Sequence, residues 1–214
     1  MIHFSQEIEV FIHQVRNTNN KEQNFQAQLV HFFTEKYGND YIIEVETSRA
    51  DTHVKGSMIN PSDKDGALIP YRKKEIDLLI YNKADNTEKY AAELKWIYHR
   101  EGTGGWCCLD SLEAFSDDAV FVEQLVEYSG FTETCSVVVY DFNPSRQVKR
   151  VVWGTPEQEE RKRAFLDGEY HQERFHGTLV DGKTHKSYPF DWKKLTYQTE
   201  PDQDCRYYIL TFSK

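Results

Sequence analysis

The chain has little cysteine and no long apolar run. Its four cysteines, Cys107, Cys108, Cys135 and Cys205, show no C-x-x-C spacing, which argues against a zinc ribbon and provides no framework for a disulfide-stapled fold. No stretch approaches the ~18 apolar residues of a membrane span, and Glu7 and Glu9 stand where a secretory signal needs apolar residues. A soluble, cytoplasmic protein with reduced thiols and no membrane partner is therefore expected. An excess of positive charge is also missing. With 26 Lys and Arg against 35 Asp and Glu, the net charge is -9 and the isoelectric point about 5.4. That balance argues against a basic nucleic-acid coat but leaves room for a local basic groove. No repeat, low-complexity tract or composition shift divides the 214 residues, a length suited to one sizeable core. The expected organisation is a single domain over residues 1–214, with an N-terminal helix to 19, a core over 20–155, and a helix plus β-rich extension over 156–214.

What is present centres on two apolar segments that carry charge. Glu75 to Tyr81, EIDLLIY, and Tyr90 to Trp96, YAAELKW, read as strands joined by a polar loop from Asn82 to Lys89. Alternation places Asp77 with Leu79 and Tyr81, and Ile76, Leu78 and Ile80 on the other face. On the second strand Glu93 and Lys95 share a face opposite Ala92, Leu94 and Trp96. If the strands pair, two carboxylates and an ammonium converge. Such charges cost several kcal/mol unless they are paired, hydrated or bound to a metal.

Helices are expected before this pair. Phe4, Ile8, Phe11, Ile12 and Val15 predict an amphipathic helix over 5–17 started by Ser5. A second helix is predicted from Asn20, whose capping-box partner is Gln23, to Gly38, with Phe25, Leu29, Phe32 and Phe33 as its buried stripe. Glu22 lies about 35° from the centre of that stripe and Glu35 about 105° away, so Glu22 is the acid directed toward the interior. Tyr41 to Thr47, YIIEVET, reads as a strand, and Ser48 to Pro70 as a long polar connection.

After the pair, the GTGG of residues 102–105 lacks the Lys-Ser/Thr of a phosphate-binding loop and reads as a turn. Asp110 and Glu113 open a helical region reaching Tyr128, with a break at Ser116 and Gly130 as its stop. Gln124 and Tyr128, four apart, lie on one face. Cys135 to Tyr140, CSVVVY, has the continuous apolar character of a strand buried on both sides. Thr155, Pro156 and Gln158 start a helix ending at Gly168, whose charge run reads as a solvated face. Short aromatic segments separated by turns follow, consistent with a β-rich terminal layer. His99, His171, His176 and His185 show no metal-ligand spacing.

The order helix with Glu22, strand, strand with Asp77, strand with Glu93-Leu94-Lys95, helix, strand resembles the PD-(D/E)XK nuclease superfamily, in the manner of its poorly characterised bacterial members. The proline of the name is absent, since Glu75-Ile76 precede Asp77. The resemblance implies a mixed α/β (α+β) fold: a restriction endonuclease-like αβββαβ core with a central mixed sheet flanked by helices. It implies Mg²⁺, with Mn²⁺ as a substitute, held by Asp77, Glu93, the Leu94 carbonyl and Glu22, and Lys95 orienting or deprotonating a water. Gln124 and Tyr128, similar to a QxxxY motif, would contact the nucleic-acid backbone. Arg72, Lys73 and Lys74 either grip phosphates or protect a strand edge. Phosphodiester hydrolysis needs an activated water and neutralised phosphate charge, both of which a divalent cation held by oxygen can supply. The expected activity is DNA hydrolysis in restriction, defence or repair. The alternative is a non-catalytic or partner-dependent nucleic-acid-binding protein retaining the fold, as a homodimer or with a partner subunit.

Overall fold

The computed structural model describes residues 1–15, 22–48, 57–59, 68–70, 75–85, 87–97, 118, 119, 121–123, 125, 126, 129–142, 156, 159, 169–171, 187–189, 193–195 and 205–214. Two helices, α1 (Phe4–Gln14) and α2 (Glu22–Tyr37), precede strand β1 (Tyr41–Ser48). Two short strands, β2 (Ser57–Ile59) and β3 (Leu68–Pro70), pair with each other. The charged strands are β4 (Glu75–Asn82) and β5 (Lys89–Ile97), followed by β6 (Glu133–Tyr140). The remaining strands are β7 (Glu169–His171), β8 (Ser187–Pro189), β9 (Lys193–Leu195) and β10 (Cys205–Ser213). The fold is mixed α+β, built on a six-stranded sheet ordered β1-β4-β5-β6-β10-β9. Its one parallel pair is β5 with β6, and the other neighbours run antiparallel.

That parallel pair requires a crossover, because two strands running the same way cannot be joined by a tight turn. Helical residues within 118–129 supply it. The crossover ends as a left-handed residue allows: Gly130 has φ 72 and the Phe131 N–H donates back to the Leu125 carbonyl at 3.1 Å, turning the chain out of the helix at a glycine that adopts this conformation without steric cost.

Period-two alternation decides which helix covers which face. Leu78, Ile80, Tyr90, Ala92, Leu94, Trp96, Val137 and Val139 pack with Phe4, Ile8, Phe11 and Ile12 of α1 and Phe25, Leu29 and Phe33 of α2. On the opposite face Leu79 and Ala91 pack with Phe121, Val122, Leu125 and Phe131. The β6 strand, between the two layers, is buried along nearly its whole length, as a strand covered on both faces must be.

Several expectations need correction. Helix α1 begins at Phe4 and ends at Gln14, the following Val15 being extended, and Ser5 does not cap it. Instead the Glu133 carboxylate of β6 accepts from the Phe4 and Ser5 N–H groups at 3.1 and 3.0 Å, so a distant anion satisfies the helix start. Phe32 of α2 is half-buried rather than part of the closed stripe. The polar connection of residues 48–70 contains the β2–β3 pair. Ile76 packs with Leu79 and not with Leu78 and Ile80; strict alternation fails where the β4–β5 ladder stops. The β-rich terminal segment is only partly a separate layer, because β10 and β9 extend the central sheet beyond β6. The Asn20 cap, the GTGG turn, the Asp110–Glu113 box and the Ser116 break lie outside the described residues.

Candidate metal and active site

The site forms where β4 and β5 part. Their register pairs Tyr81 with Lys89, Ile80 with Tyr90, Leu79 with Ala91 and Leu78 with Ala92, so the next pair would set Asp77 against Glu93. It does not form. On the other side of β4, the register with β1 also omits one position, Glu46 opposite Asp77, and Glu46 has φ 49. A non-glycine residue in that left-handed region is strained by roughly 1–3 kcal/mol. Asp77 therefore sits at the point where both ladders are interrupted.

Side chains replace the missing ladder bonds. The Leu94 N–H donates to Asp77 Oδ2 at 2.8 Å, and the Asp77 carbonyl accepts from Gln26 Nε2 at 2.7 Å. One step further along β5, the Trp96 N–H donates to Glu22 Oε2 at 3.2 Å. Glu22 and Gln26 are four apart and share a face of α2. That face is aimed at the gap because Phe25 packs on the Trp96 ring, centroids 5.1 Å apart, and also on Phe11. The aromatic contacts hold the helix, and the helix delivers its polar pair to the end of the strands.

Glu93 is buried at 1% exposure and Lys95 is half-buried. Both project from β5 toward the crossover, which contributes Asp118, also buried, with Oδ2 3.4 Å from Lys95 Nζ. Burial alone works against the Lys95 ammonium. The carboxylates of Asp118, Glu22, Asp77 and Glu93 outweigh it and hold the pKa above the ordinary lysine value. For Asp77 the balance runs the other way. Burial raises its carboxyl pKa, Asp118 and Glu22 add to the rise, and the Leu94 N–H and Lys95 oppose it.

Four carboxylates thus act on one ammonium. In this arrangement no three His, Cys, Asp or Glu side chains among the described residues are grouped so as to hold a metal ion. The donor set nevertheless suits a divalent cation in kind: Glu22, Asp77, Glu93 and the Leu94 carbonyl are all oxygen donors, the hard ligands that Mg²⁺ takes. Burial is the main reason the Asp77 carboxyl pKa is raised, and a cation beside it would favour the charged form.

The structure brings Glu22, Asp77, Glu93 and Lys95 to one region from three elements. Gln124, Tyr128, Arg72, Lys73 and Lys74 lie outside the described residues. Sequence reasoning missed Asp118 and Gln26, and helical spacing held the signal for both. Asp118 continues the stripe of Val122 and Leu125, and Gln26 is one turn beyond Glu22. Among the described residues, no helix is long and apolar enough to cross a membrane. Comparisons with protein-family models, curated proteins and solved structures return no match.

Proposed function

We propose that the chain is a Mg²⁺-dependent nuclease with a restriction endonuclease-like core, acting on DNA phosphodiester bonds. The observation that carries this reading is the meeting of Glu22, Asp77, Glu93 and Lys95 at the parted end of β4 and β5. The order α2, β1, β4, β5, helical crossover, β6 supports it at the level of the fold, with those four strands adjacent as β1-β4-β5-β6.

Asp77, Glu93 and the Leu94 carbonyl, with Glu22, would hold Mg²⁺, which when bound supplies a water of lowered pKa and neutralises phosphate charge. The chain's own groups have separable tasks. Lys95, whose ammonium the surrounding carboxylates favour, would orient or help deprotonate a water and stabilise negative charge developing on phosphate. Gln26 fixes the Asp77 backbone, and the Leu94 N–H fixes its carboxylate.

One observation favours a second reading, a nucleic-acid-binding protein without catalysis, alone or with a partner subunit. Asp77 and Glu22 each accept a backbone N–H and Lys95 pairs with Asp118, so the cluster has partners within the protein without an ion.

The test is incubation of purified protein with supercoiled, linear duplex and single-stranded DNA, and with RNA, in Mg²⁺, Mn²⁺ or chelator. DNA cleavage that needs metal and disappears in Asp77→Ala and Lys95→Ala is expected. Cleavage persisting in both variants would remove these residues from the chemistry. Binding without cleavage in any metal would favour the second reading.

A further inference from the structure

Lys95 lies in the field of four carboxylates. Glu22, Asp77 and Glu93 stand on α2, β4 and β5, and Asp118 stands on the crossover, its Oδ2 3.4 Å from Lys95 Nζ. Asp118 is 3% exposed. In such a place an ion pair is electrostatically strong, and loss of either partner leaves a buried charge behind. Asp118 also acts on the ammonium more strongly than Glu22, Asp77 or Glu93. A lysine ammonium is a compact charge on a flexible four-carbon stem, free to settle where negative potential is deepest. With Asp118 removed, the attraction that remains comes from Glu22, Asp77 and Glu93, the carboxylates that a divalent cation would need.

We propose that Asp118 is a positioning residue: it holds the Lys95 ammonium against the crossover and keeps it from filling the cation position among Glu22, Asp77 and Glu93. The proposal rests on the metal-dependent reading of that site. It assigns the crossover a function in ion binding, although Asp118 itself is not a ligand. Two other roles predict different behaviour. A ligand role would make Asp118 matter to the ion whether or not Lys95 is present. A purely structural role would show in melting and leave ion affinity alone.

The test measures Mn²⁺ binding to the full chain, without nucleic acid, by electron paramagnetic resonance of the free ion and by calorimetry. The chains compared are wild type, Asp118→Asn, Lys95→Met and the double variant. Asp118→Asn should weaken Mn²⁺ binding about tenfold, because the freed ammonium competes with the ion. Lys95→Met should bind at least as tightly as wild type. The double variant should lie within about threefold of Lys95→Met, since no competitor remains. Equal weakening by Asp118→Asn with and without Lys95 would overturn the proposal in favour of a direct ligand. So would unchanged affinity in Asp118→Asn. If Asp118→Asn does not fold, Asp118→Glu replaces it, because a longer carboxylate on the same backbone displaces the ammonium. Its effect on Mn²⁺ must then appear with Lys95 and vanish with Met at that position; equal effects in both again overturn the proposal. A wild type that binds no Mn²⁺ brings down the metal-dependent reading and this proposal together, whereas binding without dependence on Lys95 brings down this proposal alone.

Discussion

Replacing Asp77 by asparagine should separate the stability of the site from its chemistry. The Asp77 carboxylate accepts the Leu94 N–H at 2.8 Å, and an asparagine carbonyl oxygen can accept the same bond, so the parted end of β4 and β5 keeps its tie. What disappears is a charge that burial disfavours and that Asp118 and Glu22 repel. Because the folded pKa lies above the unfolded one, the native state binds more protons between the two values. Ionised Asp77 therefore costs stability above its folded pKa, and the cost is relieved as the pH falls toward the ordinary value of 3.8. Asp77→Asn should raise stability at pH 7 by ~1 kcal/mol, the usual size for relieving a strained functional group. For 214 residues this corresponds to a melting shift of about 2–4 °C. Added Mg²⁺ should reverse the ranking. At a free concentration tenfold above its dissociation constant the ion stabilises wild type by about 1.4 kcal/mol, or roughly 3–6 °C, and the variant, lacking one anionic ligand, should gain far less. Differential scanning calorimetry at pH 7, with and without Mg²⁺, reads both effects. A variant that melts below wild type in the absence of metal would refute the argument from burial. Equal responses to Mg²⁺ would refute Asp77 as a ligand.

Three further outcomes test the frame around the site. Burial alone would push the Glu88 carboxyl up, but hydrogen bonds from Tyr90, Tyr41 and Asn82 and the N-terminal ammonium bring it down to about 2. A depressed folded pKa stabilises above the unfolded value of 4.5 and is lost as the pH falls through about 2. Glu88→Gln should therefore cost about 1–3 kcal/mol in denaturant melts at pH 7 and almost nothing at pH 2; a penalty independent of pH would contradict this. Glu133→Ala removes the anion that caps α1 and should cost about 1–2 kcal/mol. Faster amide exchange confined to the first turn of α1 is the expected signature, and protection unchanged there would count against the cap. Glu46→Gly relieves a left-handed residue at an exposed position and should stabilise the chain by ~1 kcal/mol, whereas a loss of stability would show that the kink is not strained.

The architecture was legible where burial is periodic. EIDLLIY and YAAELKW are strands β4 and β5 within a residue or two of their expected ends, and CSVVVY lies within β6. The Phe25–Leu29–Phe33 stripe is the buried face of α2, and its angle already directed Glu22 inward. Asp118 was obscured by a different kind of signal. In Asp117-Asp118 only one acid shares the helical phase of Val122 and Leu125, and the capping patterns nearby drew attention to Asp110 and Glu113 instead. Gln26 was passed over because a neutral amide on a helix carries no mark of its partner.

Local sequence determined which segments become helix or strand and which face of each is apolar, because side-chain periods of 3.6 and 2 are properties of the segment itself. Only the tertiary structure decided that β4 and β5 part at Asp77, that Glu133 caps a helix far away in the chain, that β10 joins the sheet beside β6, and that Lys95 meets Asp118. Each of these depends on register and packing between segments distant in sequence. Alternation shows where a side chain points, and the fold supplies what it finds there.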